Sequence, residues 1–178
     1  MKTKCGGDAP EFTPLRIAVL TISDTRDERN DTSGQALIEA LQKDGHRLAE
    51  RVIVRDDIYQ MRAIVSRWIA DDAVQAILTT GGTGLTGRDN TVRALKPLLD
   101  KEIDGFGELF RMISYEEIGT STLQSRAFAG IAHNTFIFCL PGSTGACRTG
   151  WDKIIRFQLD HRTTPCNLVE MLPRLQEV

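Results

Sequence analysis

Long hydrophobic runs are missing from this chain. No apolar stretch approaches the ~20 residues that a membrane-spanning helix requires, so no membrane partner is expected. An excess of one charge sign is missing as well. With 22 Lys and Arg against 24 Asp and Glu, the net charge is −2. Without a basic field, nucleic acid is not an expected partner. The four cysteines, at positions 5, 139, 147 and 166, contain no C-x-x-C pair, which argues against a zinc site. They read as reduced thiols in a cytoplasm, with Cys139 a small core residue inside an apolar run. Only three histidines occur, His46, His133 and His161, each isolated, so histidine-based acid–base chemistry is not where the chain points. Residues 1–13 carry lysines but no apolar stretch behind them. They read as a frayed polar arm and not as a signal peptide. Repeats, low-complexity tracts and linkers are absent too.

What is present is 178 residues, 41% hydrophobic and 26% charged, enough for one domain with a sizeable core over residues 14–178. Short apolar runs alternate with helical patterns. Strands are expected at residues 15–22, 48–54 and 74–79, and an antiparallel pair at 128–132 and 135–140 turns at His133-Asn134. The apolar spacing of Leu37, Ile38 and Leu41 predicts a helix that starts at one of Asp31 to Gly34 and stops at Gly45. Residues 58–69 carry an amphipathic helix with Trp68 on the buried side. A short helix capped by Asn90 or Thr91 closes near Pro97. Lys101 to Gly107 reads as a kinked connector ahead of a helix from Phe106 to about Glu117. A short helix is expected from Thr120 through Arg126, and a last main helix over 146–159. The strands are continuous apolar runs, as in a sheet covered on both faces. The expected fold is therefore a three-layer α/β/α sandwich with a mostly parallel central sheet.

In such folds ligands bind beyond the carboxyl ends of the strands. Four strand ends carry polar or glycine-rich punctuation: Ser23-Asp24-Thr25-Arg26, Arg55-Asp56-Asp57, Thr80-Gly81-Gly82-Thr83-Gly84 and Pro141-Gly142-Ser143-Thr144. These should converge on one rim. The third is the most specific. Four glycines over Gly81 to Gly87, followed by Arg88 and Asp89, fit a phosphate-binding loop, because glycines let bare N–H groups approach an anion and permit positive φ. Gly82, Gly84 and Gly87 literally spell G-x-G-x-x-G. The dinucleotide reading nonetheless fails, since the match follows the third strand and lacks the acidic residue about 20 positions on at a strand end. A Walker loop fails for want of Gly-Lys-Ser/Thr.

Asp56 and Asp89 follow neighbouring strands. Each alone also reads as a helix N-cap. Beside the glycine loop, shared magnesium binding is the better reading. Ser23 and Asp24, and Asp31, Ser33 and Gly34, offer hydroxyls and carboxylates that can grip a polar heterocycle or start a helix. Pro141, Gly142 and Ser143 form a second small-residue junction with exposed N–H groups, or a simple turn.

Six motifs in one order carry a resemblance: TISD at 21–24, DTSG at 31–34, TTGGTG with the following Arg88-Asp89, GFGE at 105–108, LQSR at 123–126 and LPGST at 140–144. Together they resemble the molybdopterin-binding domain family of molybdenum cofactor biosynthesis proteins, which includes the bacterial MogA and MoaB types. EEIGTSTLQSR, LPGSTGACRT and DHRTTPCN resemble the MoaB branch. The likeness covers about 14–167. It implies the α/β/α fold, trimers or hexamers of the chain, and a cytoplasmic role beside other enzymes of the cofactor pathway. It also implies molybdopterin and ATP as substrates with Mg²⁺, AMP being transferred to the terminal phosphate of molybdopterin. The catalytic aspartates of the family fall on Asp56 and Asp89, its phosphate loop on Gly81, Gly82, Thr83 and Gly84, and Ser125 joins the site through LQSR. A non-catalytic molybdopterin-binding or carrier protein stands as the alternative.

Overall fold

A computed structural model of the chain describes residues 11–175. Positions 1–10 of the polar arm and 176–178 lie outside the described residues. Six strands form one sheet: β1 (Arg16–Ile22), β2 (Arg47–Val54), β3 (Ala76–Thr80), β4 (Lys101–Glu102), β5 (Phe128–Ala132) and β6 (Thr135–Leu140). Their order across the sheet is β2-β1-β3-β6-β5-β4. β2, β1, β3 and β6 run parallel, while β5 is antiparallel to both of its neighbours. The mostly parallel α/β sandwich expected from the alternating elements is the fold observed.

The helices are α1 (Thr32–Lys43), α2 (Ile58–Ile69), α3 (Thr91–Leu95), α4 (Asp104–Ile118), α5 (Thr144–Gly150) and α6 (Arg156–Gln158). The two-residue period of the central strands sorts them into outer layers. In β1, Ile17 and Val19 face a core shared with α1, α4 and α5, whereas Ala18, Leu20 and Ile22 face a core shared with α2 and α3. Trp68 is buried in the second core, as its spacing predicts. No helix among the described residues is long and apolar enough to cross a membrane.

Capping follows local chemistry. Asp31 caps α1 by accepting from the Gly34 N–H, and Gly45 follows that helix with φ +94°. Asp57, and not Asp56, caps α2, accepting from the Tyr59 and Gln60 N–H groups. Ser143 caps α5 through the Ala146 N–H, so this helix starts earlier than its apolar periodicity indicates. It runs on through a π turn at Trp151–Ile155 into α6.

Three elements differ from expectation. Lys101 and Glu102 do not belong to a connector but pair with β5 as the sheet's edge strand, opposite Ile131 and Gly130. α4 then begins at Asp104, passing through Gly105 and Gly107. Gly107 is needed there for close approach: a Cβ would stand 2.7 Å from the Ala127 carbonyl. The segment after α4 is a 3₁₀ turn (Gly119–Gln124) and stops short of Arg126. The structured chain also begins before residue 14. Phe12 lies edge-on to the His46 ring at 5.0 Å and beneath the Arg162 guanidinium at 4.9 Å.

Candidate functional site

The parallel strands deliver three of the four predicted loops to one cavity of about 660 Å³. That volume is within the range of small-molecule sites. One wall is the carboxyl rim of β1, β3 and β6, contributing Ser23 and Arg26, Gly81 to Gly84, and Pro141 to Ser143. The opposite wall is α4 with its 3₁₀ turn, contributing Ser114, Glu117 and Ser125 among others, and Thr149 of α5 borders it. Strand order explains the position. β1 is flanked by β2 on one side and β3 on the other, and ligand crevices of open α/β sheets lie where the winding reverses.

The glycine loop is built close against its surroundings. Gly81 and Gly82 have φ of +106° and +65°. A Cβ on Gly81 would stand 2.2 Å from the Ile22 carbonyl oxygen, and one on Gly82 2.3 Å from Thr91 Oγ1. The loop carbonyls are already claimed. Gly81 O accepts from Thr91 Oγ1 at 2.7 Å, Gly82 O from the Thr91 N–H at 2.9 Å, and Thr83 O from the Arg126 N–H at 3.1 Å. Arg126 also donates from Nη2 to Asp89 O at 2.8 Å, holding both ends of the loop. Of its amides, the Gly81 N–H donates to the Leu140 carbonyl at 3.0 Å and the Gly84 N–H to Asp89, which leaves those of Gly82 and Thr83 to offer an anion.

The two aspartates bracket this loop. Asp56 Oδ2 lies 3.0 Å from where a Cβ of Gly82 would stand, and Asp89 Oδ2 lies 2.7 Å from the corresponding point on Gly84. Only Asp89 lines the cavity. Its Oδ2 accepts from the Thr86 N–H at 2.8 Å and Thr86 Oγ1 at 2.7 Å. Burial raises the pKa of this carboxyl, but the Thr86 and Gly84 donors and nearby Arg126 outweigh it and hold the group below its ordinary value. Asp56 is buried and accepts from Asn90, whose Nδ2 is 2.7 Å from Oδ1. Neither aspartate caps a helix, since Asp57 caps α2 and Asn90 precedes α3.

The other predicted residues divide similarly. Ser23, Gly81, Gly82, Thr83, Gly84, Ser125, Pro141, Gly142 and Ser143 line the cavity, whereas Asp24, Asp31, Ser33 and Gly34 do not. Asp24 turns to Arg88, which donates from Nε at 2.9 Å and Nη2 at 2.5 Å, and it also accepts from the Asp56 N–H at 3.2 Å. The Arg88 bonds keep the Asp24 carboxyl below its ordinary pKa. Asp31 is buried behind the first loop, where it accepts from Thr21 Oγ1 at 2.7 Å and Arg51 Nη2 at 2.9 Å. Burial opposes its charge, but the Gly34 N–H, Thr21 and Arg51 overcome this and lower its pKa. Ser33 accepts from Arg26 Nη1, while Arg26 Nη2 donates to the Gly142 carbonyl at 3.0 Å. Asp31 and Ser33 thus position Arg26, which does line the cavity.

Arg26, Arg126, Glu117 and Thr149 are site residues that sequence reasoning missed. The two arginines stood at the ends of recognised motifs, SDTR and LQSR, and that was their only signal. Among the described residues no group of three or more His, Cys, Asp or Glu side chains could hold a metal ion. A magnesium ion arriving with ATP asks for only one or two protein carboxylates. Asp89, at the cavity wall beside the loop, fits that demand, whereas Asp56 as placed here is turned to Asn90.

A doubly wound α/β protein with a cavity at the carboxyl rim, walled by a glycine loop, is the class that fold and site define. The chain belongs to the molybdopterin-binding family of molybdenum cofactor biosynthesis proteins: the family described as "Probable molybdopterin binding domain" matches residues 18–161. Molybdenum cofactor biosynthesis protein B of Escherichia coli K12 is 59% identical over 157 residues, covering 88% of this chain and 92% of that protein. A crystal structure of a molybdenum cofactor biosynthesis protein B superimposes with a TM-score of 0.83 at 42% identity, covering 93% and 98% of the two chains. The tungsten cofactor synthesizing protein MoaB of Pyrococcus furiosus matches with a TM-score of 0.73 at 40% identity, over 79% and 90%.

Proposed function

We propose that this protein binds molybdopterin in the cavity at the carboxyl ends of β1, β3 and β6 and transfers AMP to it from Mg-ATP. The observation that carries the reading is the glycine loop with its carbonyls claimed, bracketed by Asp56 and Asp89. The terminal phosphate of molybdopterin is anionic at neutral pH and needs no strong base. An oxygen of that phosphate bonds to the α-phosphorus of ATP, the bond to the β-phosphate oxygen breaks, and pyrophosphate leaves with its electron pair. Such transfer depends on positioning and charge stabilisation. Magnesium supplies charge neutralisation at the phosphates. The Gly82 and Thr83 amides and Arg26 orient phosphate oxygens, and Asp89 would hold the metal from the protein side. Asp56 has a part at the metal only if Asn90 releases it.

That last condition favours a second reading. Both carboxylates are already hydrogen-bonded, Asp56 by Asn90 and Asp89 by Thr86, as suits a site that only holds its ligand. In that reading the protein carries molybdopterin to another enzyme of the pathway. Either protein works in the cytoplasm as a homo-oligomer, trimer or hexamer. The row of exposed apolar side chains along α4 (Leu109, Met112, Tyr115 and Ile118) supports association of copies. The deciding experiment measures molybdopterin binding and adenylylation separately in Asp56→Asn and Asp89→Asn variants. Turnover should fall while binding persists. Loss of binding together with turnover sinks the catalytic assignment.

A further inference from the structure

The cavity holds three charged side chains, Arg26, Asp89 and Glu117. The first two belong to the rim wall and are engaged there. Arg26 is tied to Ser33 and Gly142, and Asp89 is tied to Thr86. Glu117 stands on the opposite wall, near the end of α4. Its Oε2 accepts from Thr149 Oγ1 at 2.8 Å. Its side chain is exposed, with acceptor capacity beyond that single bond. Around it the wall carries the neutral polar groups of Ser114, Ser121 and Thr122.

Resting on the molybdopterin reading above, we infer that Glu117 recognises the aminopyrimidinone edge of the pterin, with Thr149 holding its carboxylate in position. That edge presents the 2-amino group and the N3–H side by side. They form the kind of fork that a guanidinium offers, which a carboxylate accepts through two parallel charge-assisted bonds. Adenine presents a donor beside an acceptor on its pairing edge and cannot make both bonds. The two walls therefore assign the ligand's direction. The pterin lies toward α4, and its phosphate lies toward the glycine loop. ATP has no matching partner at Glu117, so the residue discriminates between the two substrates instead of serving the transfer itself.

The test measures dissociation constants for anaerobic molybdopterin, and for a fragment pair, 6-hydroxymethylpterin phosphate and its 2-deamino analogue. Wild-type protein should prefer the amino fragment by about tenfold or more, the scale of a charged hydrogen bond. In Glu117→Gln this preference should collapse toward one, molybdopterin binding should weaken by a similar factor, and Mg-ATP affinity should stay unchanged. Thr149→Val should give a partial loss of the same preference. A merely structural role for Glu117 would lower affinity for both fragments alike and leave their ratio standing. A Glu117→Gln protein that keeps the wild-type ratio overturns the inference while molybdopterin binding by the wild type stands. If wild-type protein binds neither molybdopterin nor either fragment, the molybdopterin reading itself fails and takes this inference with it.

Discussion

Asn90 donates to Asp56 from both its backbone and its side-chain amide. Its backbone N–H lies 3.3 and 3.2 Å from the two carboxylate oxygens, and Nδ2 lies 2.7 Å from Oδ1. The pair ties the loop after β2 to the residue that follows Asp89. Because Asp56 is buried, losing the amide leaves a carboxylate oxygen short of a donor. Asn90→Ala should cost about 1–3 kcal/mol of stability, read as a lowered urea midpoint. A midpoint equal to wild type would show that Asp56 is solvated in solution.

The glycine loop predicts a contrast within one segment. Gly82→Ala forces a Cβ to 2.3 Å from Thr91 Oγ1 at a φ of +65°, and it should destabilise by about 1–3 kcal/mol and abolish ligand binding. Gly87→Ala meets no atom within 4 Å and should leave both stability and binding near wild type. Thermal melts and molybdopterin titrations of the two variants, made side by side, check this.

Acidification should weaken the fold through His46. Its Nδ1 accepts from the Leu15 N–H at 3.2 Å, and the ring lies among Phe12 and Trp151. Burial lowers its pKa below 6.5, outweighing the opposing carboxylates of Asp44 and Asp160. A histidine that resists protonation when folded binds more protons when unfolded. Its contribution is complete above pH 6.5 and is lost as the pH falls from there toward the folded value. The urea midpoint should drop between pH 7.5 and 5.5, and His46→Gln should show a shallower drop over the same interval.

Thiol reactivity should separate the described cysteines. Burial pushes Cys139 up to about 12 and Cys147 up to about 11, while Cys166 is exposed. Since the thiolate is the reactive form, native protein at pH 8 should be alkylated at Cys166. Cys139 and Cys147 should appear among labelled peptides only after unfolding.

Most of the fold was legible because β1, β3, β5 and β6 are short apolar runs, and polar or glycine-rich ends of the parallel ones mark the carboxyl rim. The glycine loop was legible for the same reason, with a chemical signature that survives without coordinates. Less visible was which of two adjacent aspartates caps α2. Backbone direction at the end of β2 decides that, giving the cap to Asp57 and turning Asp56 toward Asn90. Glycine also misled. Gly105 and Gly107 look like a turn, yet Gly107 lets α4 lie against Ala127. Arg26 and Glu117 escaped because their partners are remote in sequence, 116 residues away at Gly142 and 32 at Thr149.

Adenylyl transfer is measured directly as pyrophosphate released when the protein meets molybdopterin and Mg-ATP anaerobically. One pyrophosphate should appear for each molybdopterin adenylylated, only with magnesium, and be lost in Asp89→Asn with molybdopterin still bound. Molybdopterin bound by wild-type protein with no pyrophosphate formed would contradict the claim and leave the carrier reading in its place.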